Sequence, residues 1–118
     1  MMFELQESTT DDGTTVLAVV GELDVGSAPR LRQELVRLAA DEGRAPRVVL
    51  DLAGVDFLDS TGLGVLLGGA KRFRAQGGDL VLARAEPQVR KVLEVTRVIE
   101  ILPVHDDLGA ALAALPRA

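Results

Sequence analysis

The 118-residue sequence contains no cysteine, tryptophan or tyrosine, and its aromatic residues are three phenylalanines. The lack of cysteine excludes a disulfide scaffold and is compatible with the reducing cytoplasm. With so few aromatic residues, the core has to be built from leucine, valine, isoleucine and alanine. A chain of this length can bury such a core, and we predict one domain over residues 1–118.

Basic clusters and long apolar runs are also missing. The formal net charge is -5 at pH 7, so a nucleic acid partner is not expected, because phosphate contacts need a cationic surface. The longest apolar stretches fall far short of the roughly 20 residues of a membrane-spanning helix. Residues 1–13 lack the basic and apolar segments of a signal peptide. We therefore expect a cytoplasmic protein without a membrane span.

Strand and helix patterns alternate along the chain. The predicted strands cover residues 2–8, 14–20, 47–52 and 79–84, with a short further strand near 98–102. The predicted helices begin after the N-cap Ser27 and end at Gly43, cover residues 60–75, begin at Pro87, and cover residues 106–115. This order predicts an α/β domain with a mixed, mainly parallel β-sheet of four to five strands and about four helices.

Residues that commonly carry catalysis are scarce. His105 is the single histidine and stands beside Asp106 and Asp107, a combination found at metal sites and in acid–base pairs. We favour a solvated loop residue ahead of a helix capped by Asp106. Ser60 lacks the G-x-S-x-G context of a nucleophile elbow. We therefore expect neither an enzyme nor a metal site.

Four glycines follow residue 60, where a strand ends and a helix begins. They are Gly62, Gly64, Gly68 and Gly69. Phosphates bind at such positions in α/β proteins, but the spacing matches neither G-x-G-x-x-G nor the P-loop. A nucleotide-binding protein that uses the Gly62–Gly64 turn is therefore a weak alternative. Gly64 and Gly68 share one helix face, which allows either close packing inside the domain or docking of a partner.

The segment Asp59-Ser60-Thr61-Gly62-Leu63-Gly64 directly follows the third strand. Asp59 or Ser60 is expected at the N-cap of the second helix, and capping alone would explain both residues. The same position suits a phosphoacceptor, because a phosphate there meets free backbone N–H groups and the positive end of the helix dipole. An added charge of about −1.5 to −2 beside Asp59 would oppose the docking of a partner.

Two motifs together resemble the signatures of bacterial anti-sigma factor antagonists, the STAS domain family. Gly21-Glu22-Leu23-Asp24 (GELD) closes the second strand, and the segment 59–64 (DSTGLG) follows the third. The run of residues 77–83 and the helix that contains Pro87 are similar to the family as well. The resemblance covers nearly the whole chain and implies the STAS fold.

The resemblance also implies a regulatory function. In the family, the serine after the motif aspartate is phosphorylated by a partner that is both anti-sigma factor and serine kinase, and Ser60 occupies that position. The unphosphorylated domain is expected to bind the anti-sigma factor and release the sigma factor. Phosphorylation cancels that binding, and a protein phosphatase resets the cycle. ATP and magnesium belong to the kinase, so no cofactor is expected here.

Individual site residues follow from the same resemblance. Asp24 is implied to lie near Ser60 and to contact the kinase. The implied partner-binding set is Glu22, Asp24, Asp59, Ser60, Thr61, Gly62 and Gly64. Val25 and Gly26 follow GELD where family members often carry polar residues, so the loop that faces the kinase differs here. A second alternative is an accessory subunit of a transport, lipid-trafficking or stress-sensing assembly.

Overall fold

The computed structural model describes residues 2–40 and 43–116. The strands are β1 (Phe3–Thr9), β2 (Thr15–Leu23), β3 (Arg47–Leu58), β4 (Asp79–Ala83) and β5 (Val104–His105). The helices are α1 (Ala28–Ala39), α2 (Ser60–Ala75), α3 (Pro87–Val95) and α4 (Leu108–Ala114), with a 3₁₀ turn at Val98–Glu100. The sheet has the order β1-β2-β3-β4-β5. Only the β1–β2 pair among these neighbours is antiparallel, so the predicted fold class is confirmed.

The apolar run in the first half of β3 is explained by burial on both faces of the sheet. Neighbouring residues of a strand point to opposite faces. Val48, Leu50 and Leu52 pack into the larger core cluster with residues of α1, α2 and α3. Val49 packs on the other face, where Ala111 and its neighbours in α4 cover the sheet. A parallel strand covered on both sides needs apolar residues in succession.

The predicted strand near residues 98–102 is wrong. Residues 98–100 form the 3₁₀ turn, and the fifth strand lies at 104–105. Arg97 has a φ of 65°, and the N–H groups of Ile101 and Leu102 both donate to the Val98 carbonyl. The backbone of this apolar run is therefore bonded locally. A short apolar run cannot be assigned to a strand or a helix by periodicity alone.

One predicted helix cap is wrong, and a second is confirmed in its position but not in its side-chain hydrogen bond. Asp107, and not Asp106, caps α4, because its carboxylate accepts the N–H of Ala110 at 2.7 Å. Ser27 stands at the N-cap position of α1, but its side chain accepts no N–H of the helix. His105 lies in β5, half-buried, and its carbonyl accepts the N–H of Arg84 at 2.9 Å. It is therefore a sheet residue and not a loop residue.

No helix within residues 2–40 and 43–116 is both long enough and apolar enough to cross a membrane.

Candidate functional site

Strands β2 and β3 end side by side, and each is followed by one of the two motifs. Both strands run further than their apolar patterns predict, and Leu23 pairs with Leu58 at their ends. The register shifts at two points along β2, which lets the longer β3 stay paired. The carboxyl ends of parallel strands lie at the same edge of a sheet, so the GELD and DSTGLG motifs meet there.

The Asp59 side chain and backbone join the two motifs directly. One carboxylate oxygen accepts the N–H of Gly62 at 2.9 Å, and the other accepts the N–H of Val25 at 3.2 Å. The backbone N–H of Asp59 donates to the Leu23 carbonyl at 3.2 Å. Asp59 is therefore the cap of α2, and the same carboxylate holds the loop that follows β2.

Asp24 shapes its own loop. Its Oδ1 accepts the N–H groups of Gly26 at 2.9 Å and Ser27 at 3.1 Å. The Ser27 hydroxyl donates to the Glu22 carbonyl at 2.6 Å and accepts the N–H of Asp24 at 3.0 Å. The Ser27 side chain, which was expected to cap α1, therefore stabilises residues 22–27, called the GELD loop below.

Ser60 is the first residue of α2, and both Ser60 and Thr61 are exposed. In the first turn of a helix, N–H groups have no intrahelical acceptor, and the helix dipole places partial positive charge there. A phosphoryl group on the Ser60 hydroxyl would meet this favourable field. It would also stand on the residue next to the Asp59 carboxylate, in a motif region that contains Glu22 and Asp24.

The glycines of α2 fall into two classes. A Cβ at Gly62 would lie 2.8 Å from the Leu23 carbonyl oxygen, and a Cβ at Gly69 would lie 2.8 Å from Leu35 Cδ1. These two glycines let α2 approach its neighbours. Gly62 is buried, so it lies behind the predicted partner-binding surface and not on it.

Gly64 and Gly68 belong to the other class. A Cβ at either position would meet no atom within 4 Å, and both residues are exposed. Close packing inside the domain therefore does not explain them. Each glycine destabilises a helix interior by about 0.8–1 kcal/mol relative to alanine.

The structure adds one exposed apolar residue that the sequence interpretation missed, Phe57, and places Val25 at the surface as well. Phe57 is 48% exposed and Val25 is 71% exposed. The Val25 N–H donates to the Asp59 carboxylate, and Phe57 stands in β3 two residues before Asp59 in the sequence. Strand alternation held the signal for Phe57, since the neighbouring Leu58 is buried.

The buried aspartate of β3 belongs to a different region. Asp51 is 6% exposed, and Arg84 donates to both of its carboxylate oxygens. This pairing raises the pKa of the Arg84 guanidinium. Arg84 has a φ of 59°, a conformation that the ion pair and the hydrogen bond to His105 hold in place. Within the described ranges, no cluster of three histidine, aspartate or glutamate residues could hold a metal ion.

Known proteins share the sequence and the fold of this chain. The family model of the STAS domain matches residues 6–111 of this chain. BtrV of Bordetella bronchiseptica, a candidate anti-sigma factor antagonist, is 38% identical over 107 residues, which are 91% of this chain and 90% of that protein. The anti-sigma-B factor antagonist of Bacillus subtilis is 38% identical over 86 residues, 73% of this chain and 76% of that protein.

A solved structure extends the likeness to three dimensions. The crystal structure of an anti-sigma factor antagonist from Mycobacterium paratuberculosis superimposes with a TM-score of 0.83 at 27% identity, covering 96% of this chain and 93% of that one. The chain belongs to the STAS domain family, and the family predicted from its two motifs is confirmed. The functional roles of the individual site residues stay predictions.

Proposed function

We propose that this protein is an anti-sigma factor antagonist whose binding to its anti-sigma factor is switched by phosphorylation of Ser60. The observation that carries the proposal is the Asp59 junction, which joins the GELD loop to the exposed N-terminus of α2. The names of the relatives support the antagonist role. The accessibility of Ser60 supports the switch.

In the unphosphorylated state, the partner-binding surface comprises the rim of the GELD loop and the first turns of α2. Its polar residues are Glu22, Asp24, Asp59, Ser60 and Thr61, with Gly64 one turn further along. The exposed side chain of Val25, whose backbone N–H donates to Asp59, adds apolar area to this surface. Binding of the anti-sigma factor to this surface releases the sigma factor.

Phosphorylation changes the charge of that surface and leaves the hydrogen bonds of Asp59 in place. The partner, acting as serine kinase, transfers the γ-phosphoryl group of ATP to Ser60 Oγ, ADP leaves, and the hydroxyl proton is lost. The product carries about −1.5 to −2 more charge at the N-terminus of α2, where the fold tolerates it. An interface formed with the neutral hydroxyl becomes mismatched, and like charges placed together in an interface cost several kcal/mol.

A phosphatase that removes the group returns the protein to its binding state. ATP and magnesium are substrates of the kinase partner, so this chain needs no cofactor for the cycle. Regulation of a sigma factor places the protein in the cytoplasm, with protein partners and no nucleic acid partner of its own.

Phosphoryl transfer is the first test. The purified protein is incubated with ATP, magnesium and each anti-sigma kinase from the same genome, and the phosphate is located by mass spectrometry. We expect one phosphate on Ser60, its loss in Ser60→Ala, and its retention in Thr61→Ala, the matched neighbour. No phosphate, with a kinase active on another substrate, would contradict the switch and favour the accessory-subunit alternative.

Binding is the second test. Ser60→Asp should weaken binding to the kinase that phosphorylates Ser60, while Thr61→Asp tests whether a charge one residue further has the same effect. Titration calorimetry measures both affinities. Wild-type affinity of Ser60→Asp would contradict the proposed mechanism.

A further inference from the structure

A groove lies between α1 and α2 on the side of the molecule that carries Ser60. Its volume is about 270 Å³. The residues that line it are Arg32, Leu35, Val36, Gly64, Val65, Gly68, Gly69 and Arg72. Val36 is 39% exposed, so the apolar part of the groove is open at the surface.

One wall of the groove is continuous with the phosphoacceptor. Ser60, Gly64, Gly68 and Arg72 follow one another at intervals of four residues, which places them along one ridge of the helix. At 1.5 Å per residue, the ridge is about 18 Å long. All four residues are exposed, and a Cβ at either glycine would meet open space. The ridge therefore presents bare backbone directly beyond Ser60.

Charge distinguishes this groove from the surface around Asp24 and Asp59. Arg32 stands on the α1 side and Arg72 on the α2 side. Among the residues that the structure describes, neither guanidinium forms an ion pair. In a chain of net charge -5, the groove is thus apolar inside and basic at its edges.

From these features we infer that the groove receives a helix of the anti-sigma partner, whose small and aliphatic side chains pack on the glycine ridge and whose carboxylates pair with Arg32 and Arg72. The inference rests on the proposed function, because a protein that phosphorylates Ser60 already contacts the start of this ridge. Packing against bare backbone brings two helix axes closer than the usual 8–10 Å. The groove extends the contact by about two helical turns and determines which partner fits.

Glycine replacement tests the ridge. Gly64→Ala and Gly68→Ala should each raise the urea midpoint of unfolding, because alanine favours the helix and its methyl group meets no atom of the domain. Both should weaken binding to the kinase identified by Ser60 phosphorylation by roughly tenfold or more, because the methyl group overfills the interface. Gly109→Ala in α4 is the matched control and should leave binding unchanged.

Charge reversal tests the edges. Arg72→Glu should weaken binding to the same kinase by roughly tenfold or more at low salt, with a smaller effect at high salt. Lys91→Glu, an exposed position on α3, makes a similar change away from the groove and should not. Wild-type affinity of both Gly68→Ala and Arg72→Glu would overturn the inference.

The outcomes separate this inference from the proposed function. If the wild-type protein binds no such kinase, the proposed function fails and this inference fails with it. If the wild-type protein binds and Ser60→Asp does not, but the groove variants bind like wild type, only the groove inference fails. If analytical ultracentrifugation shows a dimer that Gly68→Ala dissociates, while kinase binding is unaffected, the groove belongs to a second copy and the inference is overturned.

Discussion

The two faces of α2 both contain glycine, but the glycines of the two faces differ in what they contact. The inner face places Gly62, Leu66 and Phe73 against strands and neighbouring helices, and all three are buried. The outer face places Ser60, Gly64 and Gly68 at the surface. Glycine occurs on both faces for different reasons: on the inner face it allows close packing, and on the outer face it leaves space unfilled. Residue type alone therefore does not reveal whether a glycine stabilises the fold or shapes a surface.

The largest effect is expected from a truncation on the inner face. Leu66 is 0% exposed, and Leu66→Ala should lower the free energy of unfolding by about 2–5 kcal/mol, because it leaves a cavity in the core. Urea denaturation followed by circular dichroism measures the change. Lys71→Ala, on the exposed side of the same helix, should change it by less than about 0.5 kcal/mol. Equal effects would remove the distinction between the faces.

A comparison of glycines sharpens the distinction. Gly62→Ala should destabilise the protein by about 1–3 kcal/mol, because the new methyl group would overlap the Leu23 carbonyl oxygen. Gly64→Ala, two residues later, should stabilise it by up to about 1 kcal/mol. The unfolding midpoints of the two variants are compared in one urea series. If both substitutions shifted the unfolding midpoint in the same direction, the division of the glycines into two classes would be contradicted.

Removal of the Asp59 cap of α2 is expected to have an intermediate effect on the free energy of unfolding. Asp59→Ala should cost about 0.5–2 kcal/mol of stability, since the first turn of α2 loses the acceptor of the Gly62 N–H. The same variant should speed hydrogen exchange at the Val25 amide, which the carboxylate also accepts. Asp59→Asn keeps a side-chain oxygen for the cap and should lose less stability. A Val25 amide that exchanges as in wild type would disprove the link between the loop and the helix.

The smallest effect belongs to the outer face. Ser60→Ala should change the free energy of unfolding by less than about 0.5 kcal/mol, because it alters an exposed side chain beside an intact cap. Thermal and urea unfolding both measure it. A destabilisation near that of Asp59→Ala would make Ser60 part of the structural cap and weaken its assignment as a switch.

Much of the fold followed from local patterns. Leu31 and Leu35 stand four residues apart in the sequence, which is the spacing of one helix face, and both are at most 2% exposed in α1. The alternation of strands and helices predicted the class of sheet. The exceptions are short elements. β5 has only two residues, and a run of that length is too short to show the alternation of apolar and polar residues that predicts a strand. The cap of α4 was misplaced by one residue because Asp106 and Asp107 are chemically equivalent candidates.

The candidate site was predictable in its parts. Asp59 was one of two predicted caps, and Ser60 was singled out by its position after the third strand. The extension of β2 and β3 to residues 23 and 58 was not predictable from apolar runs, because both strands continue through glycines and charged residues. The sequence also did not reveal that the Ser27 side chain would stabilise the GELD loop instead of capping α1.

By itself, the sequence determined the order of elements, the composition of the core and the two motifs, because these depend on side chains close together in the chain. Tertiary structure alone decided that Val25 meets Asp59, 34 residues away, and that Gly64 faces open space while Gly62 does not. Such contacts depend on the register of β2 against β3 and on how α2 lies beside α1. Register and helix packing depend on contacts throughout the core, so they cannot be predicted from residues that are close together in the sequence.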